Sequence, residues 1–434
     1  MASAPDLVIV GAGPAGLAAA RAAALQGIRD ILVIDRDDAP GGLPRFCAHP
    51  GFGLDYAGWP YSGPGFVRRL LRDLAGTGVA IECATTLISV RAGPEIEIVG
   101  PRLGNCILKP KALVLATGIR EASRGNRMIP GARPEHGILT TGQLQQLVAR
   151  KVPLPDHVRN LAVIGTEHVA FSALLTARHA GLRVGHLIGE TADIRSFAQM
   201  RWMARLFGAQ ITLGAKVKEI VARHDRVTTV RCETPAGPLD VACDGVVFTA
   251  GWMPEIAALA GSGIAIDPRA RGPVIDQAMR TSLPGIFAAG NMLRPVEASG
   301  WAANEGLRAG YMAARFIQGR LGARQGAVPL LAGDGIDYVV PQRWDPELAT
   351  DHGRPALKPS IRVSRDIGQG RLCLIEDDTA IWEGPVGRYR PHRRVALDLE
   401  AIGSKGTLGQ EAALTLRCER SEPRRVCFSF LTLS

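Results

Sequence analysis

Residues Asp6–Asp35 read DLVIVGAGPAGLAAARAAALQGIRDILVID. An apolar run, Leu7 to Val10, meets Gly11-Ala12-Gly13-Pro14-Ala15-Gly16. An alanine-rich stretch follows, then a second apolar run, Ile31 to Ile34, closed by Asp35. That order predicts a strand, a turn, a helix and a second strand ending in an acid, the βαβ unit of a dinucleotide site. Gly11 permits the tight turn, Gly13 lets backbone approach a pyrophosphate, and Gly16 lets helix and strand pack closely. The helix start, at Pro14 and Ala15, points free N–H groups at the phosphates. Asp35 stands nineteen residues after Gly16, the offset at which a carboxylate accepts hydrogen bonds from an adenosine ribose. Arg36 beside it is counted with the same site.

Outward from this unit, Asp37-Asp38-Ala39-Pro40-Gly41-Gly42 is a turn whose paired glycines let backbone, at Gly42 above all, sit close to a cofactor; Cys47 and His49 follow at once. Leu113 to Gly118 is a buried strand ending in a small-residue turn, Ala116-Thr117-Gly118, that passes near the adenine side. Thr281-Ser282-Leu283-Pro284-Gly285-Ile286-Phe287-Ala288-Ala289-Gly290-Asn291 leads to a helix over 302–317, and Gly290-Asn291 puts a polar side chain at the mouth of the site.

A second copy of the opening pattern begins at Asn160: a strand to Ile164, a turn from Gly165 to Ala170, a helix to His179, a strand from Val184 to Ile188. Its turn is defective. Glu167 stands where the second glycine belongs and adds a negative charge where pyrophosphate would lie. At about 5 Å and an effective dielectric near 20, two like charges repel by roughly 3 kcal/mol. Glu190, the acid ending the second strand, is displaced by Gly189. This is a structural copy of a nicotinamide domain, with Gly165 and Glu190 as its candidate contacts and NAD(P) binding left open.

A chain of 434 residues, 46% of them hydrophobic and 51 of them glycine, fits an α/β protein of two to four domains. It has no apolar run of eighteen residues, and Met1 to Pro5 lacks a signal-peptide pattern. The expected place is the cytoplasm, without membrane insertion and against the inner membrane only through partners. The eight cysteines form no CxxC, so neither a zinc nor an iron–sulfur site is expected. The net charge of +10 resides wholly in residues 1–330, because Leu331 to Ser434 holds fifteen basic and fifteen acidic residues. A positive field there suits phosphate-bearing cofactors and anionic substrates. Nucleic acid is not an expected partner, since only 5% of residues are aromatic and no basic run is interleaved with them.

Residues 66–75 are spaced as a helix and 79–84 as a strand, while 88–98 alternates like one exposed antiparallel strand. From Leu331 the chain becomes a series of short β-favouring segments, at 361–364, 372–376, 380–382, 395–399, 412–416 and 426–431. The expected fold is α/β, with two Rossmann-like dinucleotide-binding domains, the second inserted in the first, and a small C-terminal β-domain. Residues 1–125 and 245–330 would form the first dinucleotide-binding domain, 126–244 the inserted nicotinamide-type domain, and 331–434 the β-rich domain.

The succession of the first glycine turn with Asp35, the Ala116-Thr117-Gly118 turn, the second turn at Gly165 and the 281–291 segment resembles the flavoproteins with two dinucleotide-binding domains, relatives of thioredoxin and glutathione reductases. The resemblance implies FAD on Gly11, Gly13, Gly16, Asp35, Gly42, Thr117, Gly118, Gly290 and Asn291, with NAD(P)H on the inserted fold. GGLPRFCAHPGFGL, GIREASRGNRMIPGARPEHGILTTGQLQ and DPRARGPVIDQAMRTSLPGIFAAGN are similar to the FAD subunit associated with anaerobic-type glycerol-3-phosphate dehydrogenases, itself akin to opine oxidase and hydroxyproline dehydrogenase α subunits. That likeness implies a partner dehydrogenase, met through the C-terminal domain, and a small-molecule electron donor.

Disulfide-using reductases place two cysteines after the paired glycines, and here only Cys47 stands there, which excludes a dithiol mechanism. Cys47 as a redox thiol and His49 as a proton donor are the candidate catalytic residues. Trp301, Asn304 and Glu305 precede or open the helix expected to face the flavin. Three readings follow: an FAD subunit relaying electrons from a partner dehydrogenase, a stand-alone NAD(P)H-dependent reductase, and a non-catalytic FAD-binding scaffold.

Overall fold

The chain divides into two compact units, Met1–Arg324 and Gln325–Ser434. The computed structural model describes residues 4–249, 251–322, 327–345, 357–376, 379–397 and 414–420. In the first unit, β1 (Leu7–Val10), α1 (Pro14–Leu25), β2 (Ile31–Ile34), β3 (Ala80–Glu82) and β4 (Ala112–Leu115) open one parallel sheet. A second parallel sheet then intervenes: β5 (Ile138–Thr140), α2 (Thr141–Ala149), β6 (Asn160–Ile164), α3 (His168–His179), β7 (Arg183–Ile188), α4 (Gln199–Leu206), β8 (Gln210–Thr212) and β9 (Gly245–Phe248). The chain returns to the first sheet with β10 (Ile286–Ala288) and finishes the unit with α5 (Ser299–Ile317). Strand order is β10-β4-β1-β2-β3 in the first sheet and β5-β9-β6-β7-β8 in the second. The fold is therefore α/β with two Rossmann-like folds, one inserted in the other. The two crossings between the sheets, Ile119–Glu121 and Trp252–Pro254, pair antiparallel with each other.

The reason for parallel sheets is visible in β1, β2, β4 and β9. Each is apolar at nearly every position and buried throughout, as strands covered on both faces must be. Alanines and glycines decide how α1 meets α5. A Cβ at Gly306 would lie 2.0 Å from the Ala15 carbonyl oxygen, and one at Gly310 would lie 2.0 Å from that of Ala19. The helices thus touch backbone to backbone, which holds α5 against the helix that carries the first turn.

The 88–98 segment corrects the expectation of one strand. It is a hairpin, Thr86–Arg91 with Glu95–Gly100, extended by Gly104–Leu108. The Ala92-Gly93-Pro94 turn, with Gly93 at φ +77°, interrupts the ladder without disturbing the apolar alternation, so the pattern does not count strands. The helix of 66–75 begins earlier, at Gly63, because Ser62 caps it by accepting from the Gly65 N–H at 3.2 Å. Likewise α5 starts at Ser299 rather than 302, so Trp301 and Glu305 lie within it.

The second unit is β-rich. Val328–Ala332, Leu414–Arg420, Ile367–Glu376 and Thr379–Glu383 share one sheet with Arg343–Trp344. Ile336–Val340, Ser360–Val363 and Val395–Ala396 form another. Leu330, Trp344, Ile361 and Leu374 centre its core. The strand expected at 426–431 lies outside the described residues. Among those described, no helix is long and apolar enough to cross a membrane.

Gly310→Ala tests the helix contact, because a backbone carbonyl cannot swing aside as a side chain can. The expected cost is about 1–3 kcal/mol of overpacking, read as a lowered melting temperature and partial loss of flavin. Gly322→Ala, which meets nothing within 4 Å, should melt with the wild type. Equal melting of both variants would contradict the packing.

Candidate functional site

The first turn is shaped by two close backbone approaches. Gly11, at φ +105°, would place a Cβ 2.3 Å from the Ala116 carbonyl oxygen, and a Cβ on Gly16 would lie 1.7 Å from that of Gly11. Gly13 differs, for the sole heavy atom within 4 Å of its missing Cβ is the Gly42 Cα, at 3.9 Å. Gly42 packs directly against it, for a Cβ on Gly42 would lie 3.1 Å from the Gly13 Cα. The Gly41 N–H donates to Ala12 O at 2.8 Å and ties Gly42 to the turn. Pro14 opens α1 at a position where a missing N–H costs nothing, and Ala15 packs under Gly290.

Asp35 accepts from the Ala12 N–H at 2.6 Å and the Asp37 N–H at 2.8 Å. Burial pushes its carboxyl up, and those two backbone donors pull it back. Arg36 reaches away from the turn to Glu255, 3.3 Å distant. The Thr117 hydroxyl donates to Glu255 O at 2.6 Å, and Gly118 O accepts from the Glu255 N–H at 2.9 Å. Arg36, Thr117 and Gly118 are thus gathered around one residue that sequence reasoning passed over.

At the far side, the Gly290 N–H donates to Glu305 Oε2 at 3.2 Å, and Glu305 Oε1 accepts from Arg294. Both side chains are buried, at 0% and 2% exposure. Asn291 closes its own loop: its Nδ2 donates to Glu297 O at 3.2 Å and its Oδ1 accepts from the Glu297 N–H at 3.1 Å. Asn304 does not point to a cofactor, since its Nδ2 donates to Asp55 O at 2.9 Å. No sequence signal distinguished these local bonds from ligand contacts.

Cys47 is buried, and its thiol donates to Leu43 O at 3.6 Å. Desolvation first, and the Glu121 carboxylate second, push it up to about 12. That is the setting of a structural thiol, because the nucleophilic form is the thiolate. His49 is half-buried, and burial pushes its imidazole below the usual histidine range. Its Nδ1 lies 3.0 Å from Pro50 O, which only accepts, so Nδ1 carries the proton. Nε2 then accepts from the Ser172 hydroxyl at 2.5 Å, and Ser172 Oγ accepts from Gln145 Nε2 at 2.8 Å. The three form a chain of one direction, from α2 through α3 to the loop after Gly42, that no linear motif announces. Glu121 accepts from the Gly142 N–H at 2.6 Å at the start of α2, and burial raises its carboxyl.

The second turn is filled from within. Glu167 folds its carboxylate back over the turn, where Oε2 accepts from the Thr166 N–H at 3.0 Å and Oε1 meets the Thr249 hydroxyl. A Cβ on Gly165 would lie 2.8 and 3.0 Å from the two carboxylate oxygens. The carboxylate makes no side-chain cap to α3, so it takes the N–H ahead of the helix rather than those inside it. Glu190 is exposed beyond β7. Among the described residues, no group of three or more histidine, cysteine or acidic side chains could hold a metal.

Two nucleotide-type folds, one open turn and one closed turn define a dinucleotide-dependent oxidoreductase. The chain belongs to the pyridine nucleotide-disulphide oxidoreductase family, which matches residues 5–313; its members are FAD-dependent and typically bind FAD and NAD(P). The ferredoxin–NADP reductase of Ignicoccus hospitalis is 25% identical over 323 residues, covering 72% of this chain and 98% of that protein. The dihydrolipoyl dehydrogenase of Chlamydia muridarum is 26% identical over 343 residues, 72% of this chain and 70% of that protein. Thioredoxin reductase of T. acidophilum has a similar fold, with a TM-score of 0.60 at 22% identity over 71% of this chain and 97% of that one. FAD fits the first turn: Gly13 and Gly42, packed backbone to backbone, put no side chain where a pyrophosphate would lie, and Asp35 presents its carboxylate at the strand end. A second pyrophosphate does not fit beside Gly165 while Glu167 covers it.

The Cys47 assignment is checked by alkylation. With a thiol held near 12, thiolate stays scarce throughout neutral pH and emerges only at strongly alkaline pH. Iodoacetamide at pH 7.5 should leave Cys47 unmodified in peptide maps, and Cys47→Ser should keep the flavin spectrum and its reduction rate. Ready alkylation, or a long-wavelength absorbance lost in the variant, would instead support the redox thiol.

Proposed function

We propose that the chain is the FAD-binding subunit of a heteromeric oxidoreductase, relaying electrons from a partner dehydrogenase of the glycerol-3-phosphate or amino-acid type to an acceptor. The observation that carries this reading is the Glu167 carboxylate lying on the second turn. A nicotinamide dinucleotide would have to displace it, whereas a partner-borne donor would not. FAD, when bound, accepts a hydride and passes electrons on; the protein positions it and sets its potential.

In this reading Gly11, Gly13, Pro14, Ala15, Gly16, Asp35 and Gly42 hold the adenosine and pyrophosphate, and Thr117, Gly118, Gly290 and Asn291 border the remainder of FAD. His49, neutral and with Nε2 turned to Ser172, is the candidate proton carrier. The FAD-binding domain comprises 1–125 and 245–330, the inserted domain 126–244, and 331–434 docks the dehydrogenase. The assembly works in the cytoplasm and meets the inner membrane only through its partner.

The second reading, an independent NAD(P)H-dependent reductase, draws its support from the ferredoxin–NADP reductase relative, nearly all of whose length is matched. One substitution separates the two. Glu167→Gly removes the carboxylate from the turn, so calorimetric titration should show NADH binding strengthened by one to two factors of ten, from the roughly 3 kcal/mol of repulsion less screening. Low-micromolar NADH binding by the unaltered protein would refute the blocked turn and favour the reductase.

A further inference from the structure

Helix α4 presents two unlike faces. Met200, Met203 and Phe207 pack inward with buried Ala204 against the core of the inserted fold. One turn round, Trp202 is 71% exposed and Leu206 80% exposed, four residues apart and therefore side by side on the outer face. Arg201 and Arg205 lie on the same face, with the Arg205 guanidinium 5.6 Å from the Trp202 ring. Arg178 on α3 sets its guanidinium 4.5 Å from the Phe207 ring, beside the inward face and apart from this pair. The helix has no acidic residue, and the patch holds one weak ion pair, Arg201 with exposed Asp193 at 4.0 Å. Alongside runs a groove of about 540 Å³ lined by Arg201, Arg205 and residues 208–213. It follows β8, the outermost strand of its sheet.

We propose that this face docks a partner protein through an acidic surface, with Trp202 and Leu206 as apolar anchors and the arginines as its charge complement. The inference rests on the reading of the chain as one subunit of a complex. A tryptophan 71% exposed, on a helix whose other face supplies the packing, is not held by the core, and tryptophan with arginine is the composition of interface hot spots. Charge selects the occupant. A second copy, docked about a two-fold axis, would set these arginines against their own equivalents, and the net charge of +10 compounds the repulsion. An acidic face gains steering and register from the same charges. The helix is eight residues long with two outward apolar side chains, too little apolar face to lie in a membrane surface.

The test uses the full-length FAD-loaded chain, with photoreactive benzoylphenylalanine in place of Leu206, irradiated in the cells that naturally produce it. The expected result is one protein cross-link whose mapped peptide is acidic. Arg201→Glu with Arg205→Glu in the same chain should cut its yield at least tenfold, and Trp202→Ala should do likewise, both without change in flavin content. Cross-linking to another copy of the chain, to lipid, to a peptide without acidic excess, or to nothing would overturn the docking surface, as would a yield indifferent to the arginine reversals. Those failures leave the electron-relay reading standing, whereas rapid flavin reduction by NADH would undo the relay and leave the cross-link intact.

Discussion

A carboxylate held against backbone N–H groups marks both nucleotide-type turns, with opposite consequences. Asp35 comes from the end of the neighbouring strand and takes the Ala12 and Asp37 N–H groups from the side. The turn beneath it carries no side chain, with Gly13 and Gly42 packed backbone to backbone. Glu167 comes from inside its own turn, takes the Thr166 N–H and meets the Thr249 hydroxyl. It occupies the place that the first turn keeps clear. The same interaction, a carboxylate satisfying donors left free by the local backbone, prepares one site and closes the other.

The open turn depends on parts far along the chain. Helix α5 lies against α1 with backbone contact at Gly306 and Gly310, and its Glu305 holds both the Gly290 N–H and the Arg294 guanidinium. A buried ion pair is a poor sign of net stability, yet removing one partner strands a charge at a cost of about 3–5 kcal/mol. The pair therefore fixes the 290–294 turn in one place more than it strengthens the fold. Asn291 bonds Glu297 within that turn, so the polar residue expected at the mouth of the site also shapes the mouth.

The βαβ unit at Asp6–Asp35 was legible because its parts obey rules of spacing and backbone clearance that glycines and one acid write directly into the chain. The defect at Glu167 was legible for the same reason, although not the direction in which its side chain turns. Residues that act through long-range contacts carried no signal. Glu255, Ser172 and Gln145 look like ordinary helix or loop residues until the fold brings them to Thr117 and His49. The burial of Cys47 could not be read either, because proximity in sequence to a cofactor loop says nothing about burial, and burial sets the thiol's acidity. In the hairpin at 86–100, alternation survived the turn and hid it.

In the proposed relay, electrons reach the flavin from a protein partner and not from a nicotinamide on the inserted fold. Anaerobic stopped-flow absorbance of the purified FAD-loaded chain tests it most directly, mixing with NADH in one run and with the co-purified partner and its substrate in another. The predicted result is no fast loss of oxidised-flavin absorbance with NADH and prompt bleaching with the partner and substrate. Rapid bleaching by NADH alone would contradict it.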